Sequence, residues 1–128
     1  ALKGVVRPED AVRAVKEVGF STIWISNHGG RQLETSPATV DVLPSIRQAV
    51  GPSVEIILDG GIQRGTDIAK AIALGADAVG VGKPYLWGLA AGGEAGVSKA
   101  FEILKVELDR AMGLLGVPTI SALKRKGP

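Results

Sequence analysis

Thr22-Ile23-Trp24-Ile25-Ser26-Asn27-His28-Gly29-Gly30-Arg31-Gln32 decides how this chain reads. Its first four residues are β-branched or aromatic, the composition of a buried strand. The strand breaks into two glycines, and from that break emerge His28, the only histidine present, and Arg31. A titratable imidazole and a fixed cation at the C-terminal end of a buried parallel strand sit where an α/β protein places its chemistry. The plainer alternative is a histidine that caps the strand or bonds a loop carbonyl. Two further strands that end in glycine-rich turns weigh against it.

Outward from that stretch, a strand–loop–helix unit recurs four times. Leu2 to Val6 reads as the first strand. A helix follows with Pro8 at its first position, Glu9 and Asp10 at its positive end, and Gly19 as its stop. Thr22 to Ser26 is the second strand. A helix to about Val50 follows it, with Asp41 as N-cap, Pro44 in the first turn and Gly51-Pro52 as terminator. Val54 to Leu58 is the third strand, and its helix runs from Thr66 to Leu74. Ala78 to Val81 is the fourth. A short apolar segment, Tyr85 to Ala91, then leads to a long amphipathic helix from Glu94 to Leu115, striped by Phe101, Leu104, Leu108, Met112 and Leu115. Thr119 caps a last helical turn.

The strands are continuous apolar runs, the mark of parallel strands buried on both faces. Strict βα alternation leaves a doubly wound sheet or a (β/α)8 barrel. Functional-looking residues close every strand instead of gathering at one switch point, which favours the barrel. Four units are half of one, since a whole barrel takes about 250 residues. The expected fold is therefore α/β: half of a (β/α)8 TIM barrel, four parallel strands alternating with helices plus a C-terminal helical tail, with residues 1–128 as a single partial domain. The opening Ala1-Leu2-Lys3-Gly4-Val5-Val6 enters directly as an apolar strand, so the chain is expected to be a piece of something longer.

Composition narrows the function. Of the 128 residues 45% are apolar, enough to fill a core, yet no run approaches the ~18 needed to span a bilayer. A cytoplasmic location is expected. The absence of cysteine excludes disulfides and thiolate metal sites, and no metal is expected. The net charge of +2 is mild and the basic residues are scattered, so no nucleic-acid partner is expected. The basic tail Lys124-Arg125-Lys126 reads as a solvated terminus.

The strand ends carry the chemistry. Asp59-Gly60-Gly61-Ile62-Gln63-Arg64-Gly65-Thr66-Asp67 leads from a strand into a helix start, where glycines let backbone N–H groups approach an anion. Gly82-Lys83-Pro84 offers a second such approach with a cation beside it. Loops after the last two strands form a barrel's usual phosphate site, so this pair points to phosphate binding. Asp59 would repel a phosphate and suits a ribose or polyol hydroxyl instead. Asp67 serves the helix start. Lys3, inside the first strand, needs a partner for its charge. It suits an electron-poor ring, or it lies in water on a frayed strand.

Taken together, these residues resemble the FMN-dependent α-hydroxy-acid oxidase/dehydrogenase family, that of glycolate and lactate oxidases, mandelate dehydrogenase and the flavin domain of flavocytochrome b2. Ser26-Asn27-His28-Gly29-Gly30-Arg31-Gln32-Leu33 resembles the family signature. Leu2-Lys3-Gly4-Val5, Asp59-Gly60-Gly61 with Arg64-Gly65-Thr66-Asp67, and Gly82 with Pro84 follow in the family's order, aligning the chain with the family's C-terminal half. The resemblance implies FMN as cofactor and a small 2-hydroxy acid as substrate, oxidised to a 2-oxo acid. It implies His28 as base, taking either the carbon-bound or the hydroxyl proton, and Arg31 as the guanidinium on the substrate carboxylate. Lys3 would face the pyrimidine end of the flavin, Ser26 the isoalloxazine and Asp59 the ribityl chain. Gly60, Gly61, Ile62, Gln63, Gly82 and Lys83 would hold the phosphate, with Arg64 helping if its side chain reaches around.

Three positions depart from the family's commonest pattern. Gln63 and Lys83 stand where Arg is usual, which implies weaker or rearranged phosphate binding. Glu34 stands where Asp is usual, with little expected consequence. The resemblance also implies an N-terminal half of the barrel as partner, a homo-oligomer at full length, and oxygen, a quinone or a cytochrome as electron acceptor. Two other readings remain open at this point. One is a non-catalytic half-barrel that binds phosphate or self-associates through its two sheet edges. The other is a phosphate-ligand barrel of different chemistry.

Overall fold

The computed structural model describes residues 1–126, with side chains through Lys124. Four parallel strands, β1 (Leu2–Val5), β2 (Thr22–Ile25), β3 (Glu55–Leu58) and β4 (Ala78–Val79), form one sheet in the order β1-β2-β3-β4. Each lies beside its neighbour in sequence and the order never reverses. That is the winding of a barrel wall, not of a doubly wound sheet. Burial alternates along the strands. Ile23, Ile25, Ile56 and Leu58 are fully buried in one cluster with Ala11, Leu43, Ile46, Ala69 and Ile72 from the helices. Trp24 and Ile57, between them, are half-buried. The expectation of strands buried on both faces is therefore corrected: the helices cover the outer face, and the inner wall is only partly covered.

The helices start largely where local chemistry predicts. Pro8 opens α1 (Pro8–Arg13), Glu9 and Asp10 lie in its first turn, and a π-helical turn (Ala14–Val18) runs on to Gly19 in the left-handed conformation. In α2 (Thr39–Val50) two expectations fail. Ala38 holds the cap position, Asp41 lies within the first turn, and Pro44 falls inside the helix in its second turn. Pro44 is exposed, so the Val40 carbonyl that loses a partner there can turn to water.

After α3 (Gly65–Ala73), α4 (Lys83–Leu114) takes in both the apolar segment from Tyr85 and the long helix from Glu94. Non-helical dihedrals at Gly92 and Gly93 divide it into two arms. Leu104 is buried, and Leu108 and Met112 pack on the core, but Phe101 and Leu115 are about half exposed, against expectation. Length explains this. The second arm, at 1.5 Å per residue, runs about 30 Å against about 14 Å for α3, so its ends overhang. Gly65 is where the two helices meet: a Cβ there would run into the Leu108 amide and Glu107.

Thr119 caps α5 (Ile120–Lys126), its Oγ1 accepting the Ala122 amide at 3.0 Å. The basic tail is not simply solvated, because Lys124 bonds the Asp77 carboxylate. The side chains of Arg125 and Lys126 lie outside the described residues. Asp77 belongs to a staple below the sheet. Arg47 on α2 donates to the carbonyls of Gly75 (2.9 Å), Gly51 (2.8 Å) and Val54 (2.7 Å) and to Asp77. Asp77 in turn accepts the Ile56 amide at 2.8 Å. Burial pushes the Asp77 carboxyl up, but the hydrogen bonds from Lys124 and Ile56 and the Arg47 charge outweigh it and hold it below the usual range.

These contacts set two expectations for stability. A carboxyl depressed in the fold stabilises above its unfolded value, about 3.9, and that contribution is lost as pH falls through the lower folded value. Asp77→Asn is therefore less stable than the parent at neutral pH in urea denaturation, and the gap closes below about pH 4. A gap that persisted in acid would refute the ion-pair account. Gly65→Ala is expected to cost about 1–3 kcal/mol by overpacking α4. Gly113→Ala, where a Cβ meets nothing within 4 Å, is expected to stabilise by up to about 1 kcal/mol.

Candidate functional site

Three adjacent strands meet through one ammonium. Lys3 Nζ on β1 donates to Ser26 Oγ, just past β2, at 2.8 Å, and lies 3.1 Å from Asp59 Oδ2, just past β3. It also sits 5.5 Å from the centroid of the Trp24 ring, within cation–π range. Ser26 is 1% exposed, and its oxygen also accepts the His28 amide at 3.2 Å. With both acceptor positions used, the hydroxyl proton is what Ser26 has left to offer.

The β1 ladder slips between Lys3 and Val5, leaving Gly4 as a bulge with φ +96°. On that bulge rests the His28 ring: a Cβ on Gly4 would stand 2.9 Å from His28 Cε1 and 3.8 Å from each ring nitrogen. The missing side chain of Gly4 is thus the seat of the imidazole. His28 itself has φ +54°, a conformation uncommon outside glycine, and Gly29 (+68°) and Gly30 (+75°) continue it. Asn27 holds this tight turn (His28–Gly30) in place. Its Oδ1 accepts the Gly29 amide at 3.1 Å and its Nδ2 donates to the Pro37 carbonyl at 3.2 Å. Arg31 follows on the exposed side of the turn.

The glycine turns lie along the same rim. Thr39 Oγ1 donates to the Gly60 carbonyl at 3.2 Å, and Gly60 packs against Asn27, so the β3 turn is fastened to the histidine turn. The Ile62 side chain is buried in the core, leaving its backbone at the turn. A Cβ on Gly61 or on Gly82 would meet nothing within 4 Å, so both turns border open space. Gly82 caps α4 without a side-chain bond, exposed Lys83 follows, and no acid lies in that first turn. Gln63 is exposed, and its amide is held by Asp67 Oδ2 at 3.1 Å.

Arg64 does not reach around. Its guanidinium pairs with Glu107 on α4, Nη2 to Oε1 at 2.8 Å, and Glu107 Oε2 also accepts the Gly65 amide at 2.8 Å. The hydrogen bond from Arg64, then that from Gly65, holds the Glu107 carboxyl below its ordinary range, and Glu107 raises the Arg64 value in return.

Sequence reasoning missed four residues that build this rim: Trp24, Asn27, Thr39 and Glu107. Only Asn27 carried a local signal, as a turn-former beside two glycines. No group of histidine, cysteine and carboxylate side chains suited to a metal occurs among the described residues.

A family model described as FMN-dependent dehydrogenase matches residues 1–127. An L-lactate oxidase of Nostoc sp. is 56% identical over 115 residues, 90% of this chain and 31% of that protein. A pre-mycofactocin synthase of Mycobacterium tuberculosis is 52% identical over 122 residues, 95% of this chain and 31% of that one. Among solved structures, a mandelate oxidase mutant with an FMN adduct superposes with a TM-score of 0.92 at 47% identity, over 97% of this chain and 39% of its own. The chain therefore spans about a third of the length of the curated relatives it matches.

Because His28 is the sole histidine of these 128 residues, its imidazole can be followed on its own by NMR. Gly4→Ala is expected to displace the ring and shift its Cε1–H resonance. An unmoved resonance would mean that the ring does not rest on Gly4.

Proposed function

This chain belongs to the FMN-dependent dehydrogenase family, and on that premise we propose that residues 1–128 are the C-terminal part of a (β/α)8 barrel enzyme. With FMN bound, this enzyme oxidises an L-2-hydroxy acid to the 2-oxo acid. The observation that carries the reading is the His28 ring seated on Gly4, beside the Lys3–Ser26–Asp59 cluster.

The residues fit FMN. A cation and a hydroxyl proton stand at one end of the rim, and two open glycine turns with Lys83 stand at the other. Lys3 would lie by the pyrimidine end of the flavin, Ser26 would donate to the isoalloxazine, and Asp59 would accept from the ribityl hydroxyls. The Gly60, Gly61 and Ile62 backbone, with Gly82 and Lys83, would take the phosphate. The Gln63 amide is already committed to Asp67, and Arg64 to Glu107.

Bound FMN supplies the two-electron acceptor. The chain's own residues do the rest. Arg31 grips the substrate carboxylate with two parallel N–H bonds, which fixes the 2-carbon against the histidine turn. The His28 imidazole accepts a proton from the substrate at a ring nitrogen. Lys3 would stabilise negative charge on the bound ring. The re-oxidising partner is oxygen, a quinone or a cytochrome, and the full-length protein is a homo-oligomer. A cytoplasmic location belongs to the same proposal; among the described residues no helix is long and apolar enough to cross a membrane.

A second reading keeps the flavin and changes the substrate. It is favoured by the pre-mycofactocin synthase likeness, which covers nearly the whole chain. The two separate in one experiment. The whole protein is expected to be yellow and to bleach when a 2-hydroxy acid is added without oxygen. His28→Ala is expected to stay yellow and to bleach on the order of 10²–10⁴-fold more slowly. A yellow parent that ignores 2-hydroxy acids supports the second reading, and a colourless one defeats both.

A further inference from the structure

Negative charge crowds the first turn of α3. Asp67 Oδ2 accepts the amides of Gln63 (3.1 Å) and Arg64 (2.9 Å), and Glu107 Oε2 accepts that of Gly65 (2.8 Å). The Arg64 guanidinium lies on the same Glu107 carboxylate, its Nε 3.0 Å from both oxygens. Glu107 is not free to swing. It stands on α4 where Gly65 lets the two helices touch, and its side chain is 22% exposed against 70% for Arg64. The arginine has come to a fixed carboxylate.

That position has an electrostatic consequence at the rim. The two glycine turns, 59–67 and 80–84, contain two cations, Arg64 and Lys83. Gln63 brings no charge, and Arg64, three positions from Gly61, is neutralised. Lys83 is left to face an anion.

We propose that Glu107 is a specificity-determining residue. By holding Arg64 away from the glycine turns, it weakens the site's preference for a phosphorylated flavin over the same flavin without phosphate. This inference rests on the flavin reading above. The competing account makes the Arg64–Glu107 pair a mere tie between α3 and α4, whose loss would loosen both flavins alike.

The test measures the dissociation constants of FMN and riboflavin for the flavin-free whole protein, by quenching of flavin fluorescence, and compares their ratio among variants. Glu107→Gln keeps the size of the side chain and an oxygen for the Gly65 amide but drops the charge. It is expected to raise the preference for FMN about tenfold, the scale of one charge-assisted contact discounted for exposure. Adding Arg64→Ala to it is expected to return the ratio to the parent's. Arg64→Ala alone, removing a side chain already withheld, is expected to leave the ratio within about twofold of the parent.

An unchanged or lower ratio in Glu107→Gln overturns the proposal. So does a raised ratio that survives in the double variant, or a fall in Arg64→Ala alone. A parent that binds neither flavin defeats the flavin reading itself, whereas one that binds both with an unmoved ratio defeats only this inference.

Discussion

The Lys3 ammonium stands on the inner wall of a parallel sheet, 41% exposed, and oxygens from the two neighbouring strands meet it. The rim is arranged around meeting it. Lys3 pairs in register with Trp24, and Trp24 with Ile57. Side chains alternate along a strand, so Ser26, two beyond Trp24, and Asp59, two beyond Ile57, face the same way one step higher. Both reach Lys3. On β1 itself that step would belong to Val5, but the bulge at Gly4 turns Val5 into the core, in register with Ile25. The His28 ring lies over the Gly4 backbone left at that place. One inserted glycine thus converts an apolar position into the seat of an imidazole.

The two ends of the sheet do different work. Below it, Arg47 and Asp77 join α2, the start of β3, the approach to β4 and, through Lys124, α5. Its donors go to backbone carbonyls and a carboxylate, so the network ties the fold and presents nothing to a ligand. Above the sheet, strain and exposure collect: a histidine in left-handed conformation, open glycine turns, exposed Arg31 and Lys83. Stability on the N-terminal side of the strands and chemistry on the C-terminal side is the division a βα barrel imposes.

How far the sequence was legible follows from how local each cause is. Pro8, Gly19 and Thr119 act on their own turns, and each does in the structure what its chemistry predicts. Asp41 and Pro44 are both good helix-starting residues, yet neither starts the helix. The helix begins at Thr39, whose side chain is buried and bonded to Gly60 on another loop. The apolar stripe of α4 predicted a buried face without saying how long a partner it would find. Arg64 was the hardest. Its neighbours suggested a phosphate ligand, while its partner lies 43 positions away, brought near by two helices that touch at a glycine. Non-local charge pairing leaves no periodic trace in a sequence.

The placement of charge along the rim bears on how one site would hold two anions. On the proposed reading, a substrate carboxylate and a cofactor phosphate must bind together without trading places. Arg31, a planar fork, stands on the histidine turn, and Lys83, a compact point charge, stands at the last glycine turn. The other two cations of the rim are already paired, Lys3 with Asp59 and Arg64 with Glu107. With those two paired, Arg31 and Lys83 are left to give each anion one place to settle. The shape of each cation then suits the anion it meets. A fork stands where orientation of a small acid matters, and a point charge stands where a flexible phosphate tail needs only to be retained.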